Sequence, residues 1–306
     1  LWISRQSYGM LTIGHVPFLW VLLFYFMTGL WIWKKNGQNR HIRISLAYVI
    51  MIILIWIPMA RRKSLAFLDV GQGDCFVADT KSGAIIFDGG SSSEDQVGRY
   101  RILPYMKYLG YQKIQIAVIS HMDIDHYSGI KELLEMGKIK YLGLPEIPKD
   151  ETMKKIIGIA KKRGTTIFYL SRGRQITTKD GSLKVLHPQK NSQMEKNAAS
   201  LVMQGKILGY RVLLTGDVEK EGEEELLSEE LERADILKAA HHGSKNSTSN
   251  EFLQKVQPKQ TVISCGKQNR YGHPHLETIH RLQTYRTKIY RTDRSGAIIF
   301  FKRRDG

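Results

Sequence analysis

Cysteine is almost absent from this chain, which carries only Cys75 and Cys265 among 306 residues. Two thiols so far apart cannot form the multi-bridge framework of a disulfide-stapled domain. Both lie in or beside apolar runs and read as buried thiols. Acidic residues are missing altogether from the first 60 positions, which hold five Lys/Arg and no Asp or Glu. Internal repeats and low-complexity tracts are missing too. The length then fits one large domain or two smaller ones.

Long apolar runs are present, and they gather at the start. Leu11–Trp33 is interrupted mainly by His15 and Pro17, and Ile44–Ala60 carries no charge. A membrane span needs roughly 20 apolar residues, with a range near 17–25, so both are expected to be transmembrane helices. A signal peptide fits poorly, because there are two runs and no small-residue cleavage site follows the first. The chain opens at Leu1, directly in apolar sequence, and is expected to be a fragment or a processed chain. Lys34, Lys35, Arg40 and Arg43 in the connecting loop favour a cytoplasmic loop. That would place residues 61–306 on the extracellular face, while Arg61-Arg62-Lys63 argues the other way. Beyond residue 60 there are 41 basic residues against 29 acidic ones. Such an excess suits a polyanion or an anionic membrane surface.

The predicted boundary falls at Arg61–Lys63, separating residues 1–63 from a domain over 64–306. Short apolar runs there predict strands at Leu65–Val70, Cys75–Ala78, Ala84–Phe87, Ile114–Ile119, Thr166–Leu170, Leu183–Leu186, Ser200–Met203, Tyr210–Leu214, Ile236–Ala239, Thr261–Ser264, Ile289–Arg291 and Ala297–Phe301. Helices are expected at Gln96–Leu109, kinked or broken by Pro104, and from Ser128 to Met136. Further helices are expected at Glu151–Arg163, Glu219–Leu231 and Thr278–Thr284. Strands interspersed with helices indicate two sheets or a layered α/β domain.

His121-Met122-Asp123-Ile124-Asp125-His126 puts four potential metal ligands within six residues, just after a buried strand. α/β folds place chemistry at such turns, and imidazoles with carboxylates hold divalent cations. Other acids and imidazoles also follow strands: Asp69-Val70-Gly71-Gln72-Gly73-Asp74, Phe87-Asp88-Gly89-Gly90, Thr215-Gly216-Asp217 and His241-His242-Gly243-Ser244. Gly272-His273-Pro274-His275 precedes a helix.

In this order the motifs resemble a metallo-β-lactamase-fold hydrolase. Asp69–Asp74, Asn197-x-x-Ser200-Leu201-Val202 and Gly272–His275 sharpen the likeness. They are similar to the C-terminal domain of the ComEC family of bacterial DNA-uptake channel proteins. The resemblance covers roughly Leu65 to Lys302. It implies an αββα sandwich preceded by two transmembrane helices, the last spans of a larger channel region. It also implies a metal-dependent nuclease that degrades one strand of incoming DNA during competence, with DNA and other DNA-uptake proteins as partners. By the same resemblance His121 and Asp123 hold one metal, and Asp125 and His126 a second. Asp217 bridges, and His242, or its neighbour His241, completes the second site. Asp125 also orients the attacking water. His273 and His275 contact phosphate or protonate the leaving oxygen. Asp74, Asp88, His241, Asn197 and Ser200 support the ligands, while Lys238, Lys245 and Arg270 can bind a nucleic-acid backbone.

Two departures from the wider fold family matter. Asp123 stands where His is usual, and a harder oxygen ligand favours Mn²⁺ over Zn²⁺, with Mg²⁺ also accommodated. No His serves as third ligand of the first metal, and the Asn197–Ser200 region occupies that place. Two other functions stay open: a non-catalytic domain that binds DNA and hands it to the pore, and another hydrolase of the same fold.

Overall fold

The computed structural model describes residues 12, 14–33, 42, 45–50, 62–194, 197–229 and 231–303. It divides into two compact units, Leu1–Arg61 with Met106–Gln112, and Arg62–Tyr105 with Lys113–Gly306. In the first unit, helix α1 (Phe18–Trp33) is 16 residues long and bears no charge. Pro17 stands just ahead of it, where a residue without an N–H costs least. The predicted span Leu11–Trp33 is therefore shorter as a helix, because residues 14–17 are not helical. Of the predicted span Ile44–Ala60 only residues 45–50 are described, and they are helical. Its remainder, and Lys34, Lys35, Arg40 and Arg43 of the basic loop, lie outside the described residues. Among the described residues no helix is long and apolar enough to cross a membrane.

Two seven-stranded sheets form the second unit. The first sheet is made of β1 (Ser64–Phe67), β2 (Phe76–Thr80), β3 (Gly83–Phe87), β4 (Ile114–Val118), β5 (Ile139–Pro145), β6 (Thr166–Leu170) and a strand from the far end of the chain. The second contains β7 (Gln175–Thr178), β8 (Gly181–His187), β9 (Val202–Ile207), β10 (Tyr210–Leu214), β11 (Ile236–Lys238), β12 (Gln260–Ile263) and β13 (Lys288–Arg291). The far-end strand is β14 (Ile298–Phe301), and the spatial orders are β14-β1-β2-β3-β4-β5-β6 and β7-β8-β9-β10-β11-β12-β13. In each sheet the first three pairings are antiparallel and the last three parallel. The second sheet thus repeats the first strand for strand. The sequence shows no such repeat, since topology can recur without shared residues.

Helices follow the parallel strands. The helical segment Gly98–Ile102 runs on into α2 (Leu103–Tyr108) with a wide turn in which Leu103 N–H donates to Gly98 O. Pro104, which lacks an N–H, falls just after that turn, so the expected kink is a change of helix type. Next come α3 (Ile124–Glu135), α4 (Glu151–Lys162), α5 (Lys220–Leu227), α6 (Asn250–Val256), α7 (Leu276–Thr284) and the single turn α8 (Thr292–Ser295). The sequence reading missed β5, β7, α6 and the single turn α8. β5 carries Gly143 and Pro145, which weaken a strand signal, yet it is buried between β4 and β6. The αββα layering expected from the sequence is what forms.

Alternation with period two assigns each strand two faces. Val212 and Leu214 of β10, Ile236 of β11 and Val262 of β12 join Leu65, Phe67, Phe76 and Phe87 between the sheets. Leu213, Leu237 and Ile263 turn the other way and meet Leu226, Phe252, Leu253, Val256 and Leu282 of the outer helices. That packing fixes the carboxyl ends of β10, β11 and β12 relative to one another. Phe252 is fully buried in this layer. Phe252→Ala should cost about 3–5 kcal/mol, seen as a lower denaturation midpoint with an unchanged slope.

Candidate metal centre

Four loops meet where each sheet changes from antiparallel to parallel pairing. They follow β3, β4, β10 and β11, and the β1–β2 loop that carries Asp74 joins them. The loop after β4 is shorter than the sequence reading placed it: α3 starts at Ile124 rather than Ser128, with Asp123 at its N-cap position. Asp125 and His126 are therefore in the first helical turn. The loops approach closely. Asp74 N donates to Asp125 O at 3.0 Å, and Gly89 N to His126 O at 2.8 Å. A Cβ on Gly90 would stand 2.5 Å from His126 N, so only glycine fits there.

Four imidazoles are anchored through Nδ1. His126 Nδ1 lies 2.9 Å from Asp88 Oδ2, and Asp88 is itself held by a 2.7 Å bond from Ser120 N. His242 Nδ1 lies 2.9 Å from Ser264 O. His121 Nδ1 lies 3.0 Å from Ser120 Oγ and 3.2 Å from Ser200 Oγ. His241 Nδ1 lies 2.8 Å from Glu219 Oε1. An acceptor-only carboxylate or carbonyl partner puts a proton on Nδ1 of His126, His241 and His242 and turns Nε2 toward a metal, while the Ser120 and Ser200 hydroxyls hold the ring of His121.

The Nε2 atoms converge on carboxylates. Asp217 Oδ2 is 3.2 Å from His126 Nε2 and 3.3 Å from His242 Nε2. Asp125 Oδ2 is 3.3 Å from His242 Nε2, and Asp123 Oδ2 is 3.6 Å from His121 Nε2. Nε2 of His121, His126 and His242 is buried without a hydrogen-bond partner. Ligand atoms about 2.1 Å from one tetrahedral ion stand roughly 3.4 Å apart. The orphaned nitrogens and their spacing thus fit divalent cations.

Asp74, His126, Asp217 and His242 offer ligand atoms all within 4.8 Å of one another. Within that cluster Asp74 lies on the anchoring side: its oxygens are 3.8 and 3.5 Å from the Nδ1 atoms of His126 and His242. Asp125 faces Nε2 instead. Asp74 therefore lies on the Nδ1 side of the imidazoles and Asp125 on the Nε2 side.

The electrostatics are those of buried acids and imidazoles packed against one another. Burial disfavours a charged His126, yet Asp217 and Asp88 hold its pKa well above the usual imidazole range. Asp217 and Asp74 do the same for His242 against its burial. Burial would raise Asp217 and Asp125. His126, His242 and Lys238 hold Asp217 well below the carboxylate range, and His242 and His126 bring Asp125 down to about 2. His273 is pushed the other way, to about 4, by burial and by His242, His241 and His275. It is a neutral imidazole at neutral pH and a poor proton reserve. It can still meet a phosphate as a hydrogen-bond partner, and its Nδ1 is buried without one.

The remaining predicted residues divide. Ser200 supports His121 and accepts from Asp217 N at 3.3 Å. Asn197 acts through its backbone, its carbonyl accepting from Ser200 N at 3.0 Å. Lys245 and Arg270 are exposed near the centre, Lys245 N donating to His275 Nδ1 at 3.2 Å and Arg270 lying over Tyr271. Lys238 does not fit the role of a nucleic-acid contact: it is buried, and its ammonium is engaged by Asp74, Asp217 and Gly216 O. Sequence reasoning missed Glu219 and Ser264. Glu219 had a signal, two residues after Asp217; Ser264, which serves through a carbonyl, had none. Burial pushes the Cys265 thiol up to about 12 and Cys75 well above its usual range, so neither is a nucleophile.

Residues 68–267 match the family model described as the metallo-beta-lactamase superfamily. The chain belongs to that superfamily. Its homologues within it include ComE operon protein 3 of Bacillus subtilis, 35% identical over 89% of this chain and 38% of that protein. Competence protein ComA of Neisseria gonorrhoeae is 30% identical over 78% of this chain and 32% of that protein. Recombination protein 2 of Haemophilus influenzae is 27% identical over 86% of this chain and 32% of that protein. These homologues bear out the ComEC resemblance, and the chain spans 32–38% of their length. Among solved structures, the superfamily fold recurs in YhfI from Bacillus subtilis, with a TM-score of 0.53 and 12% identity over 77% of this chain and 99% of that one. CmlA, a diiron beta-hydroxylase from Streptomyces venezuelae, reaches 0.50 with 10% identity over 86% and 59%. Both are likenesses of fold alone.

Three outcomes are expected. Asp88→Asn, which alters the anchor of His126, should weaken metal binding about 10–100-fold, measured by equilibrium dialysis. In the metal-free chain, His126 and His242 contribute stability that is full below the ordinary imidazole value of 6.5 and lost as pH rises through their raised values. Asp125 contributes stability present above its ordinary 3.8 and lost as pH falls toward about 2. Metal competes with the imidazole protons, so affinity should rise with pH, roughly tenfold per unit for each proton released. Calorimetry in buffers of different ionisation heat reads that release.

Proposed function

We propose that this chain carries the metal-dependent nuclease of a DNA-uptake channel, degrading one strand of incoming DNA. The observation that carries the reading is the convergence of imidazole Nε2 atoms on Asp217 Oδ2 beside Asp125. His121 and Asp123 would hold one ion, Asp125, His126 and His242 a second, and Asp217 would lie between them. Ions bound there would supply Lewis acidity toward a phosphoryl oxygen and a lowered pKa for water.

The chain's own groups do the rest. Asp125, ionised down to about pH 2, accepts a hydrogen bond from an attacking water and orients it. His273 and His275 stand at the rim as phosphate contacts. Exposed Lys245 and Arg270 hold the nucleic-acid backbone, which needs cations but no base recognition. The two carboxylates at Asp123 and Asp125 favour Mn²⁺ among the divalent ions, with Zn²⁺ and Mg²⁺ also accommodated. The competence names of the relatives and the basic surplus of residues 61–306 support DNA as the substrate. The apolar runs and the basic loop between them support attachment to the cell membrane through residues 11–60, with the domain extracellular.

The test is incubation of the full chain with end-labelled DNA and Mn²⁺. Cleavage is expected, and Asp125→Ala should reduce it at least about 100-fold, beyond what removal of an outer support costs. Binding without cleavage by the wild type would favour the hand-over reading. Cleavage unaltered in Asp125→Ala would sink the assignment of the centre.

A further inference from the structure

Lys238 is a buried charge for which the nuclease reading has no use. It sits on β11 at 4% exposure. Its ammonium donates to Gly216 O at 2.8 Å, stands 3.4 Å from Asp217 Oδ1 and pairs with Asp74 Oδ2. The two oxygens of Asp217 are thereby divided: Oδ1 faces the lysine, while Oδ2 faces His126 and His242. Asp74 in turn reaches the Nδ1 edges of the same two imidazoles. One ammonium therefore touches the two acids that each reach both imidazoles.

We propose that Lys238 is a positioning residue that serves as the standing counter-charge of the centre. Its ammonium holds Asp74 and Asp217 in place before a cation arrives and confines the metal contact of Asp217 to Oδ2. The inference rests on the metal-centre reading above. Its physical basis is the cost of burying carboxylates without compensating charge. It carries an opposing effect as well, because a fixed cation beside the ligands repels an incoming one. A centre formed in advance is obtained at the expense of metal affinity.

The measurement is thermal unfolding of the full chain, stripped of metal and then with Mn²⁺ or Zn²⁺ added. Lys238→Met should lower the metal-free midpoint by about 10 °C, the scale of breaking a buried ion pair. The metal-induced rise should be larger in the variant than in the wild type, because added cation replaces the missing charge and meets no repulsion. An equal rise in both proteins, or an unchanged metal-free midpoint, overturns the proposal. If the wild type itself does not respond to either metal, the metal-centre reading fails and the inference with it. If Lys238→Met folds only with metal, the proposal stands. If it folds in neither state, Lys238→Met combined with Asp74→Asn removes the cation together with a carboxylate that needs it. A larger metal-induced rise in that double variant supports the role, and a rise equal to the wild type's overturns it.

Discussion

Asp217 Oδ2 is approached by two imidazole Nε2 atoms at 3.2–3.3 Å, in a place water barely reaches. An ionised carboxylate there is unfavourable unless positive charge surrounds it. The surrounding architecture answers that need. β10 delivers Asp217, β11 delivers Lys238 and leads into His241 and His242, and the turn after β4 delivers His126. Each imidazole is then held from behind by a partner on another loop, so its metal-binding edge cannot rotate away. Those supports sit in loops that adjoin strands packed on both faces.

The paired topology explains why these loops meet. Each sheet switches from antiparallel to parallel pairing at one strand, β3 in the first and β10 in the second. Parallel neighbours send their carboxyl ends in one direction, so ligands after adjacent strands emerge together. β3 and β4 give Asp88 and the His121–His126 turn; β10 and β11 give Asp217 and the histidine pair. Both histidines of that pair have positive φ, 47° for His241 and 53° for His242, a conformation that L residues rarely adopt. The backbone there is held against its preference by the packing around it, which is common where geometry serves a site.

Much of this was legible in the residues. Strands such as Tyr210–Leu214 and Thr166–Leu170 announce themselves because alternation and turn residues are local signals. The ligand-bearing turns were legible because acids and imidazoles after apolar runs are unusual. β5 was not legible, since its burial between β4 and β6 comes from neighbours distant in sequence and overrides Gly143 and Pro145. Lys238 misled for the same reason. In sequence a lysine beside a motif reads as an exposed cation, and only the approach of Asp74, more than 160 positions earlier, turns it inward.

Residue chemistry alone determined which side chains can bind a cation and in what order along the chain they come. It also determined the excess of positive charge and the apolar opening. Only the tertiary structure decided which edge of each imidazole is free, because that depends on hydrogen-bond partners from other loops. It likewise decided that Asp125 faces the ligand side and Asp74 the anchoring side. Distance and direction between atoms far apart in sequence arise from packing two sheets face to face, and no local pattern encodes them.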